Sequence, residues 1–457
     1  MELNDFKSVF FIGVAGTGMS AIAQYLAGVD KKVAGSDRYF MEGVENETRD
    51  KLEQAGILCY AQNGEGLTPE TDLVVVSTAI EETVNEVQKA RSLEIPIIKR
   101  SELLALIARS KKTVAVGGTS GKSTTSAMLY DIMRCAGWRP SIISGAGLVS
   151  IIEQGKIGNA IVGEGEWLII EADESDGSIV QYTPEVGLLL NVDKDHQDIE
   201  ELIEIFTRFK HHTKDLFVVN RCNPLSAALS AGPSFDFSSD ALILAGYQSG
   251  HFKQQGMSIQ FEINGCSFEM QTIGRHNMEN ALAAVAVASQ LGIDLPVCAS
   301  ALKEYKGIHR RHQLLGVKNG VCVIDDYGHN PVKCAASINA CQDIAPKVIA
   351  WFQPHGYGPT RFLKDDFIHE FVTVLRDDDE IWMSEIFYAG GTAVKDISSN
   401  DLIMAIREAG KKAYFVANRN EWLDAVRPNL IDNCVLLLMG ARDPGLELFG
   451  KTVFEKL

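Results

Sequence analysis

One stretch of the chain constrains its fold more than any other: residues 114–125 read VAVGGTSGKSTT. Residues 113–116 are apolar and predict a β-strand, and residues 125–135 predict an amphipathic helix that ends at Gly137. A strand, a glycine-rich turn and a helix in this order form a phosphate-binding loop, because turn amides and the helix N-terminus converge on an anion. The stretch therefore predicts a nucleotide-binding α/β domain.

The residues of this loop have the chemistry that a nucleoside triphosphate requires. Lys122 can reach the β- and γ-phosphates, and the Ser123 hydroxyl can bind Mg²⁺. The usual loop opens with a glycine where this chain has Val116, so only the shorter form is present. The alternative is a glycine-rich turn with a solvated lysine, but the coincidence of strand, Gly-Lys-Ser and helix favours phosphate binding. The predicted phosphate contacts are Gly118, Thr119, Ser120, Gly121, Lys122, Ser123 and Thr124.

Bulk properties exclude several classes of protein. A chain of 457 residues should form two to four domains. A net charge of −17 argues against a nucleic-acid or anionic-membrane partner. The nine cysteines form no CxxC pair, which indicates reduced thiols. The acidic N-terminus before a short apolar run predicts a first strand rather than a signal peptide, and no apolar run approaches the ~18 residues of a membrane span. We therefore expect a cytoplasmic protein.

The pattern along the chain predicts an α/β fold in three domains. Residues 1–108 alternate short strands and helices, and residues 109–312 carry the phosphate loop on a parallel sheet. Within that central block, residues 257–272 alternate apolar and polar around Asn264-Gly265, which predicts an antiparallel hairpin appendage. Residues 313–457 restart the α/β alternation.

A second glycine-rich turn lies in the first block. Gly16, Gly18 and Ala21 fit the dinucleotide fingerprint after a strand, and Asp37 ends the next strand, where such folds bind a ribose hydroxyl. The pattern indicates a diphosphate on a helix N-terminus but leaves open whether that diphosphate is NAD or a UDP-sugar. A turn used only for packing is a further alternative.

Polar residues also follow two strands of the central block. Residues 168–172 lead into Asp173, Glu174 and Asp176, and residues 186–191 lead towards His196. Because ligands bind at the carboxyl ends of parallel strands, Glu174 and His196 could join Ser123 at a divalent metal. The alternative is that these acids cap helices.

Two motifs lie near the start of the third block. His309-Arg310-Arg311 is a basic cluster, and residues 325–331 read DDYGHNP. A solvated basic pair is the default interpretation. The sharper one is an arginine that faces the γ-phosphate and offsets transition-state charge.

Together these motifs resemble the Mur ligase family nearly end to end. The motifs follow in the family's order: FIGVAGTGMSAIA, VVVSTAI, IKRSELLALI, GGTSGKSTT, EADESDGSI, GRHNMENALAA, HRR, DDYGHNP and FQPHGYGPTRFLKDDF. The resemblance implies a UDP-substrate domain, a central ATPase domain and a Rossmann-like C-terminal domain. It also implies ATP-dependent ligation of an amino acid, with L-alanine as the first expectation, to the carboxylate of UDP-N-acetylmuramate through an acyl phosphate. The protein would be a monomer or a homodimer.

The resemblance also implies roles for individual residues. The catalytic residues would be Lys122, His196 and Arg311. Ser123, Glu174 and His196 would bind Mg²⁺. ATP would contact the phosphate loop together with Asn277, Asn280, Arg311 and Asp326. The UDP-sugar site would be lined by Gly16, Thr17, Gly18, Met19, Ser20, Asp37 and Ser77. The acceptor amino acid would contact Tyr327, His329, His355 and Arg361.

The chain departs from the family at the acceptor site. The family pattern after Gln-Pro is His-Arg-Tyr-x-Arg-x-Arg, whereas this chain has Gly356 and Pro359 at the first two arginine positions and keeps only Arg361. An arginine fork is the natural partner of an α-carboxylate. Either Arg361 acts alone or the acceptor differs. Ser120 and Ser123 also replace a histidine and a threonine of the family loop, and the segment after His196 is shorter than usual.

Four hypotheses follow. The first is an ATP-dependent ligase of UDP-N-acetylmuramate and an amino acid. The second is a ligase that attaches another amino acid or a murein peptide to the same nucleotide sugar. The third is a non-catalytic nucleotide-sugar sensor, and the fourth, based on the first-block fingerprint alone, is a nicotinamide oxidoreductase.

Overall fold

A computed structural model describes residues 1–41, 43–78, 80–174, 177–193, 198–388 and 394–457. The chain divides into two compact units. The first unit comprises Met1–Phe252, Gln260–Gln271 and Arg275–Ile308. The second comprises Lys253–Ile259, Thr272–Gly274 and His309–Leu457.

The first unit begins with a five-stranded parallel sheet in the order β3-β2-β1-β4-β5. Its strands are β1 (Ser8–Ile12), β2 (Lys32–Asp37), β3 (Leu58–Ala61), β4 (Leu73–Val76) and β5 (Ile97–Lys99). A short 3₁₀ turn covers Leu3–Asp5, and the helices are α1 (Thr17–Gly28), α2 (Glu47–Gln54), α3 (Asn85–Ser92) and α4 (Arg100–Arg109). The strand order reverses between β1 and β4, and ligands of open parallel sheets bind at such a switch point.

The second sheet of this unit has six strands in the order β11-β10-β6-β9-β7-β8. Its strands are β6 (Lys112–Gly117), β7 (Ser141–Ile143), β8 (Ala160–Ile161), β9 (Trp167–Glu171), β10 (Val186–Leu189) and β11 (Leu216–Val219). The helices are α5 (Lys122–Cys135), α6 (Val149–Ile152), α7 (Ile199–His212) and α8 (Pro224–Ala227), with a 3₁₀ turn at Ser178–Gln181. Only β8 is antiparallel to its neighbour in the pairings of this sheet.

The helix after the phosphate loop starts earlier than the sequence predicts. The prediction placed its start near Thr125, but α5 begins at Lys122. The reason is that Gly121, at φ 85°, turns the chain in the left-handed region and allows helical geometry from the next residue. Lys122 and Ser123 therefore lie in the first helical turn.

The predicted hairpin is confirmed. The four-stranded sheet has the order β12-β13-β14-β15, formed by β12 (Phe237–Ser238), β13 (Tyr247–Gln255), β14 (Ser258–Ile263) and β15 (Cys266–Met270). Asn264 at φ 48° and Gly265 at φ 80° make the two-residue turn between β14 and β15. Helices α9 (Arg275–Gln290) and α10 (Leu295–Lys303) follow.

The second unit is built on one six-stranded sheet in the order β16-β17-β21-β18-β19-β20. Its strands are β16 (Gln313–Lys318), β17 (Val321–Asp326), β18 (Lys347–Gln353), β19 (Glu380–Met383), β20 (Lys412–Phe415) and β21 (Cys434–Gly440). Its helices are α11 (Pro331–Gln342), α12 (Tyr357–Phe362), α13 (Lys364–Val374), α14 (Ser399–Glu408), α15 (Trp422–Val426) and α16 (Leu446–Lys456), with 3₁₀ turns at Arg419–Glu421 and Arg427–Asn429.

The centre of this sheet is β21, which is buried over its whole length. Its residues, CVLLLMG, form the continuous apolar run expected of a parallel strand that is covered on both faces. It pairs in parallel with β17 on one side and β18 on the other. The loops that follow these three strands therefore start side by side. None of the helices in the described ranges is both long and apolar enough to cross a membrane.

Candidate nucleotide and substrate sites

The phosphate loop connects the central strand β6 to α5 in a conformation that depends on its glycines. Gly118 has φ 133°, and a Cβ there would lie 3.1 Å from the Leu190 side chain and 3.2 Å from the Asn191 backbone nitrogen. At Gly121 a Cβ would lie 2.4 Å from Oδ1 of Asn280. Both positions therefore require glycine, because a side chain at either one would meet a neighbour and the backbone lies in the left-handed region.

Asn191 braces this loop. Its Oδ1 accepts hydrogen bonds from the Thr119 hydroxyl at 2.9 Å and from the Ser120 amide at 2.9 Å, and its side-chain amide donates to the Ser120 carbonyl at 3.2 Å. Asn191 follows β10, the neighbour of β6. Sequence reasoning did not single out Asn191, although it ends a predicted strand.

Lys122 is held between two oxygens at the end of the loop. Its Nζ donates to the Gly118 carbonyl at 2.7 Å and to Oε2 of Glu174 at 2.7 Å. Burial raises the pKa of the Glu174 carboxyl, and the charge of Lys122 opposes that rise. The predicted phosphate cation and one predicted metal ligand are thus brought into direct contact.

The carboxylate beside Ser123 is Glu171, the last residue of β9. The Ser123 hydroxyl donates to Oε2 of Glu171 at 3.0 Å. Oε1 of Glu171 accepts from the Ser144 hydroxyl and from the Gly145 amide, each at 2.6 Å. The sequence predicted Glu174 and His196 as the partners of Ser123; Glu174 instead contacts Lys122, and His196 lies outside the described residues.

These oxygen donors fit the chemistry of Mg²⁺. Mg²⁺ prefers hard oxygen ligands and is usually held by one or two carboxylates, with water and substrate phosphates filling the other positions. A hydroxyl and two carboxylates at the phosphate loop are such a donor set. Among the described residues no group of three His, Cys, Asp or Glu side chains forms a protein-only metal site.

Two predicted ATP contacts, Asn277 and Asn280, lie beside the same loop on α9. The Thr125 hydroxyl donates to Oδ1 of Asn280 at 3.3 Å, and the Asn280 amide reaches Oδ1 of Asn277 at 3.5 Å. Asn277 is buried. Both asparagines are therefore within the surroundings of the phosphate loop. Thr124 lies in α5 between Ser123 and Thr125.

Hydrogen bonds hold the backbone of the glycine-rich turn of the first sheet. Gly13, at φ 82°, donates to the Ser36 carbonyl at 2.7 Å, and Gly16 caps the start of α1. Asp37 is buried, and its carboxylate accepts from the Ala15 amide at 2.9 Å and the Tyr39 amide at 3.1 Å. Asp37 therefore supports the turn itself.

The other predicted residues of this site lie around the start of α1. Thr17, Gly18, Met19 and Ser20 form its first turn, and Met19 and Ser20 are buried. Ser77 follows directly after β4, at the switch point of the sheet. A Cβ on Gly18 would lie 3.1 Å from Nη1 of Arg100, the first residue of α4. A cation that the sequence analysis overlooked thus lies against the predicted diphosphate turn.

Asn159 joins this turn to the central segment of the unit. Its side-chain amide donates to the Thr17 carbonyl at 2.8 Å and to the Ser20 hydroxyl at 3.0 Å, and its Oδ1 accepts from Gln24 at 2.7 Å. Asn159 is 1% exposed. A buried amide with all these partners fixes the first turn of α1, and no local sequence pattern signals it.

In the second unit, Arg310 and Arg311 have different surroundings. Arg310 is buried, and its guanidinium bonds to Asp325 at 2.9 Å and 3.2 Å and to the Gly440 carbonyl at 2.9 Å. Arg311 lies over the Tyr327 ring, 5.0 Å from its centroid. Arg310 is thus structural, whereas Arg311 forms no hydrogen bond or ion pair within the part of the chain that the structure describes.

Asp326, a predicted ATP contact, ends β17 and is buried. Its carboxylate accepts from the His312 amide at 2.9 Å, the Gly328 amide at 2.8 Å and the Ser337 hydroxyl at 2.8 Å. Burial opposes its ionisation, but the electrostatic effects of His312 and Arg311 and these hydrogen bonds outweigh burial and lower the pKa of Asp326. It is therefore an ionised carboxylate that organises the start of the DDYGHNP loop.

Three of the predicted acceptor residues are brought together. The His329 ring lies 5.6 Å from the Tyr327 ring and 5.9 Å from the His355 ring, and Nδ1 of His329 bonds to the Tyr327 carbonyl at 2.9 Å. Burial, followed by the charges of Arg442 and His329, lowers the pKa of His355 to about 4. His355 is therefore neutral at physiological pH.

The fourth predicted acceptor residue has other partners. Arg361 forms an ion pair with Asp396 and donates to the Val394 carbonyl at 3.1 Å. These contacts engage the guanidinium that the sequence analysis expected to bind the acceptor carboxylate.

The fold and these loops define an α/β protein with a P-loop and a second glycine-rich turn. Three family models match successive segments: the Mur ligase family catalytic domain at residues 8–112, the Mur ligase middle domain at 116–288 and the Mur ligase glutamate ligase domain at 310–442. The chain belongs to the Mur ligase family.

Individual relatives match over almost the whole chain. A UDP-N-acetylmuramate–L-alanine ligase from Pelotomaculum thermopropionicum is 33% identical over 97% of this chain and 97% of its own length. One from Aquifex aeolicus is 34% identical over 95% of each chain. Among solved structures, the UDP-N-acetylmuramate-alanine ligase of Thermotoga maritima aligns with a TM-score of 0.80 at 24% identity over 98% of both chains, and a murein peptide ligase from Psychrobacter arcticus aligns with a TM-score of 0.68 at 19% identity, also over 98% of both. These structures share the fold.

Proposed function

We propose that this protein is an ATP-dependent ligase that joins L-alanine to the carboxylate of UDP-N-acetylmuramate in peptidoglycan precursor synthesis. The observation that carries the proposal is the phosphate loop: Lys122, Ser123 and two carboxylates converge there, in a chain that is 30–34% identical to curated L-alanine ligases over nearly its full length. A nicotinamide oxidoreductase does not require a loop of the type that binds a nucleoside triphosphate.

The reaction balances in two steps. A carboxylate oxygen of the sugar attacks the γ-phosphorus of ATP, and the bond between this phosphorus and the β–γ bridging oxygen breaks. The products of this step are ADP and an acyl phosphate on the sugar. The alanine amine then attacks the acyl carbon, and the resulting tetrahedral intermediate expels inorganic phosphate and loses a proton to give the amide. Charge on the transferred phosphoryl group must be neutralised in the first step, which is the role proposed for Lys122 and Arg311.

We propose Ser123 and Glu171, with Glu174 close by, as the protein ligands of Mg²⁺. Mg²⁺ at this loop would neutralise phosphate charge. Glu174 meanwhile positions Lys122, since the two groups form an ion pair at 2.7 Å. The sequence-based assignments of His196 to metal and of Asn277, Asn280 and Asp326 to ATP stay proposals.

The assignment of the residues around Gly16 and Gly18 to the UDP-sugar site also stays a proposal, and we add Arg100 to that site. A guanidinium against Gly18 can pair with a diphosphate on the N-terminus of α1. The domain boundaries at residues 108 and 312 and a monomeric or homodimeric state in the cytoplasm likewise stay predictions.

Phosphate release tests the proposal. Purified protein with Mg²⁺, ATP and UDP-N-acetylmuramate should release phosphate only when L-alanine is added, and mass spectrometry should detect the alanyl product. A panel of amino acids and murein peptides serves as the control for acceptor identity. Turnover with a peptide alone would transfer the assignment to a peptide ligase, and tight binding of both nucleotides without turnover would favour the sensor.

A further inference from the structure

The carboxyl end of β21 carries an arginine that sequence reasoning passed over. In the sheet, Gly440 of β21 pairs with Gln353 of β18. Arg442 and His355 each lie two residues beyond this pair. Met439 pairs with Asp326 of β17, so Tyr327 begins its loop at the same edge. The register therefore places Arg442 beside the predicted acceptor residues.

The backbone of Arg442 is held in an unfavourable conformation. Its φ is 61°, in the left-handed region that residues other than glycine, asparagine and aspartate rarely adopt. Asp443, the next residue, is buried and ion-paired with Arg419, which also donates to Oε1 of Gln353 at 3.0 Å. Conformations of this kind persist where neighbours impose them, and they concentrate at ligand sites.

Arg442 also has its guanidinium available. Arg310 is bonded to Asp325, Arg361 to Asp396 and Arg419 to Asp443. Arg442 is exposed, and within the described ranges it forms no hydrogen bond or ion pair.

The neighbouring histidine cannot replace it as a cation. Burial, with the charge of Arg442 and the nearby His329, lowers the pKa of His355 to about 4. At pH 7 the imidazole is neutral and can donate one hydrogen bond and accept another, but it carries no charge to balance an anion. Arg442 therefore supplies a positive charge at this edge of the sheet that His355 does not.

We propose that Arg442 binds the carboxylate of the acceptor amino acid. The inference rests on the proposed function, because it names the residue that selects an α-amino acid as acceptor. It offers a physical reason why the chain functions without arginines at positions 356 and 359: the guanidinium comes from the loop after β21 instead of the loop after β18. Arg361, paired with Asp396, is then a secondary contact.

Two substrates and four proteins test this. The wild type, R442G, R442K and R361A are compared with L-alanine and with L-alaninamide, which has the amine but no carboxylate. For R442G the KM for L-alanine should rise about tenfold to a hundredfold, as expected for the loss of a charge-assisted contact. The KM for ATP should stay within twofold of the wild-type value. R442K should lie between R442G and wild type, and R361A should raise the KM for L-alanine less than R442G does.

A matched control comes from Arg139, another exposed arginine in the left-handed region, at φ 50°. R442G and R139G should both fold, since glycine accepts these angles, and their thermal midpoints should equal or exceed that of the wild type. R139G should leave the KM for L-alanine unchanged.

The alaninamide comparison separates the two proposals. The preference of the wild type for L-alanine over L-alaninamide should be lost in R442G. If R442G keeps that preference and the wild-type KM, or if R361A loses it instead, Arg442 is not the carboxylate partner, although the ligase assignment stands. If the wild type turns over with neither substrate, both proposals fail.

Discussion

Replacing Lys122 by alanine should damage the protein in two separable ways, one catalytic and one structural. Lys122 is 2.7 Å from Glu174, and their side chains are only 16% and 6% exposed. K122A leaves the Glu174 carboxylate buried beside a cavity. Removing one partner of a buried pair costs about 3–5 kcal/mol. Because the lysine end of the pair reaches solvent, we expect the lower limit, about 3 kcal/mol at pH 7.

The pH dependence identifies the cause. Burial raises the pKa of Glu174 in the folded state, and loss of Lys122 raises it further. A carboxyl whose folded pKa lies above its unfolded value is protonated more readily in the folded state, so stability is lost as pH rises above the unfolded pKa of about 4.3. The deficit of K122A relative to wild type should therefore be small near pH 4.5 and grow towards pH 7.

Urea unfolding at several pH values measures this deficit, and K122A/E174Q is the matched rescue variant. The neutral amide carries no charge to leave unpaired, so the double variant should regain most of the lost stability while it stays inactive. Phosphate release should be abolished in K122A, and its affinity for UDP-N-acetylmuramate, measured by calorimetry, should stay within twofold of wild type. A K122A protein as stable as wild type at pH 7, or one that E174Q does not rescue, would refute the reasoning.

Two further predictions concern the other sites. G18V should weaken UDP-N-acetylmuramate binding at least about tenfold and leave ATP affinity within twofold, because a side chain at Gly18 meets Arg100 at 3.1 Å and blocks the diphosphate turn; equal losses for both ligands in calorimetry would contradict a separate site. The free energy of unfolding of H355N should fall less in acid than that of the wild type. His355 has a pKa of about 4 in the folded protein and about 6.5 in the unfolded chain, so the wild type loses stability as pH falls through this range. Allowing for partial exposure, the difference in the free energy of unfolding should reach about 2 kcal/mol at pH 4.5, and parallel pH curves for the two proteins would rule the effect out.

Local patterns were sufficient to predict the elements that position the phosphate loop. These elements depend on residues that are adjacent in sequence: the apolar run before Gly118, the glycines and the amphipathic helix. The Asn264-Gly265 turn likewise determines the hairpin that contains it. The start of α5 was misplaced by three residues because helix capping by a left-handed glycine has no apolar signature.

The partners within the sites could not be predicted in the same way. Glu171 ends β9 and Glu174 follows it, and only the three-dimensional arrangement shows that the first faces Ser123 and the second faces Lys122. Asn159 bonds to α1 across 142 residues of sequence. Arg442 lies in a left-handed conformation that its residue type disfavours, so sequence reasoning has no pattern by which to find it.

The most direct test of the account follows one oxygen atom. UDP-N-acetylmuramate labelled with ¹⁸O in its carboxylate is incubated with the protein, Mg²⁺, ATP and L-alanine, and the phosphate and the nucleotide product are analysed by mass spectrometry. Attack of the carboxylate on ATP predicts that each alanyl product is accompanied by one phosphate carrying one ¹⁸O. Alanyl product formed with unlabelled phosphate would contradict the acyl-phosphate route, and the absence of product with L-alanine would contradict the assigned function.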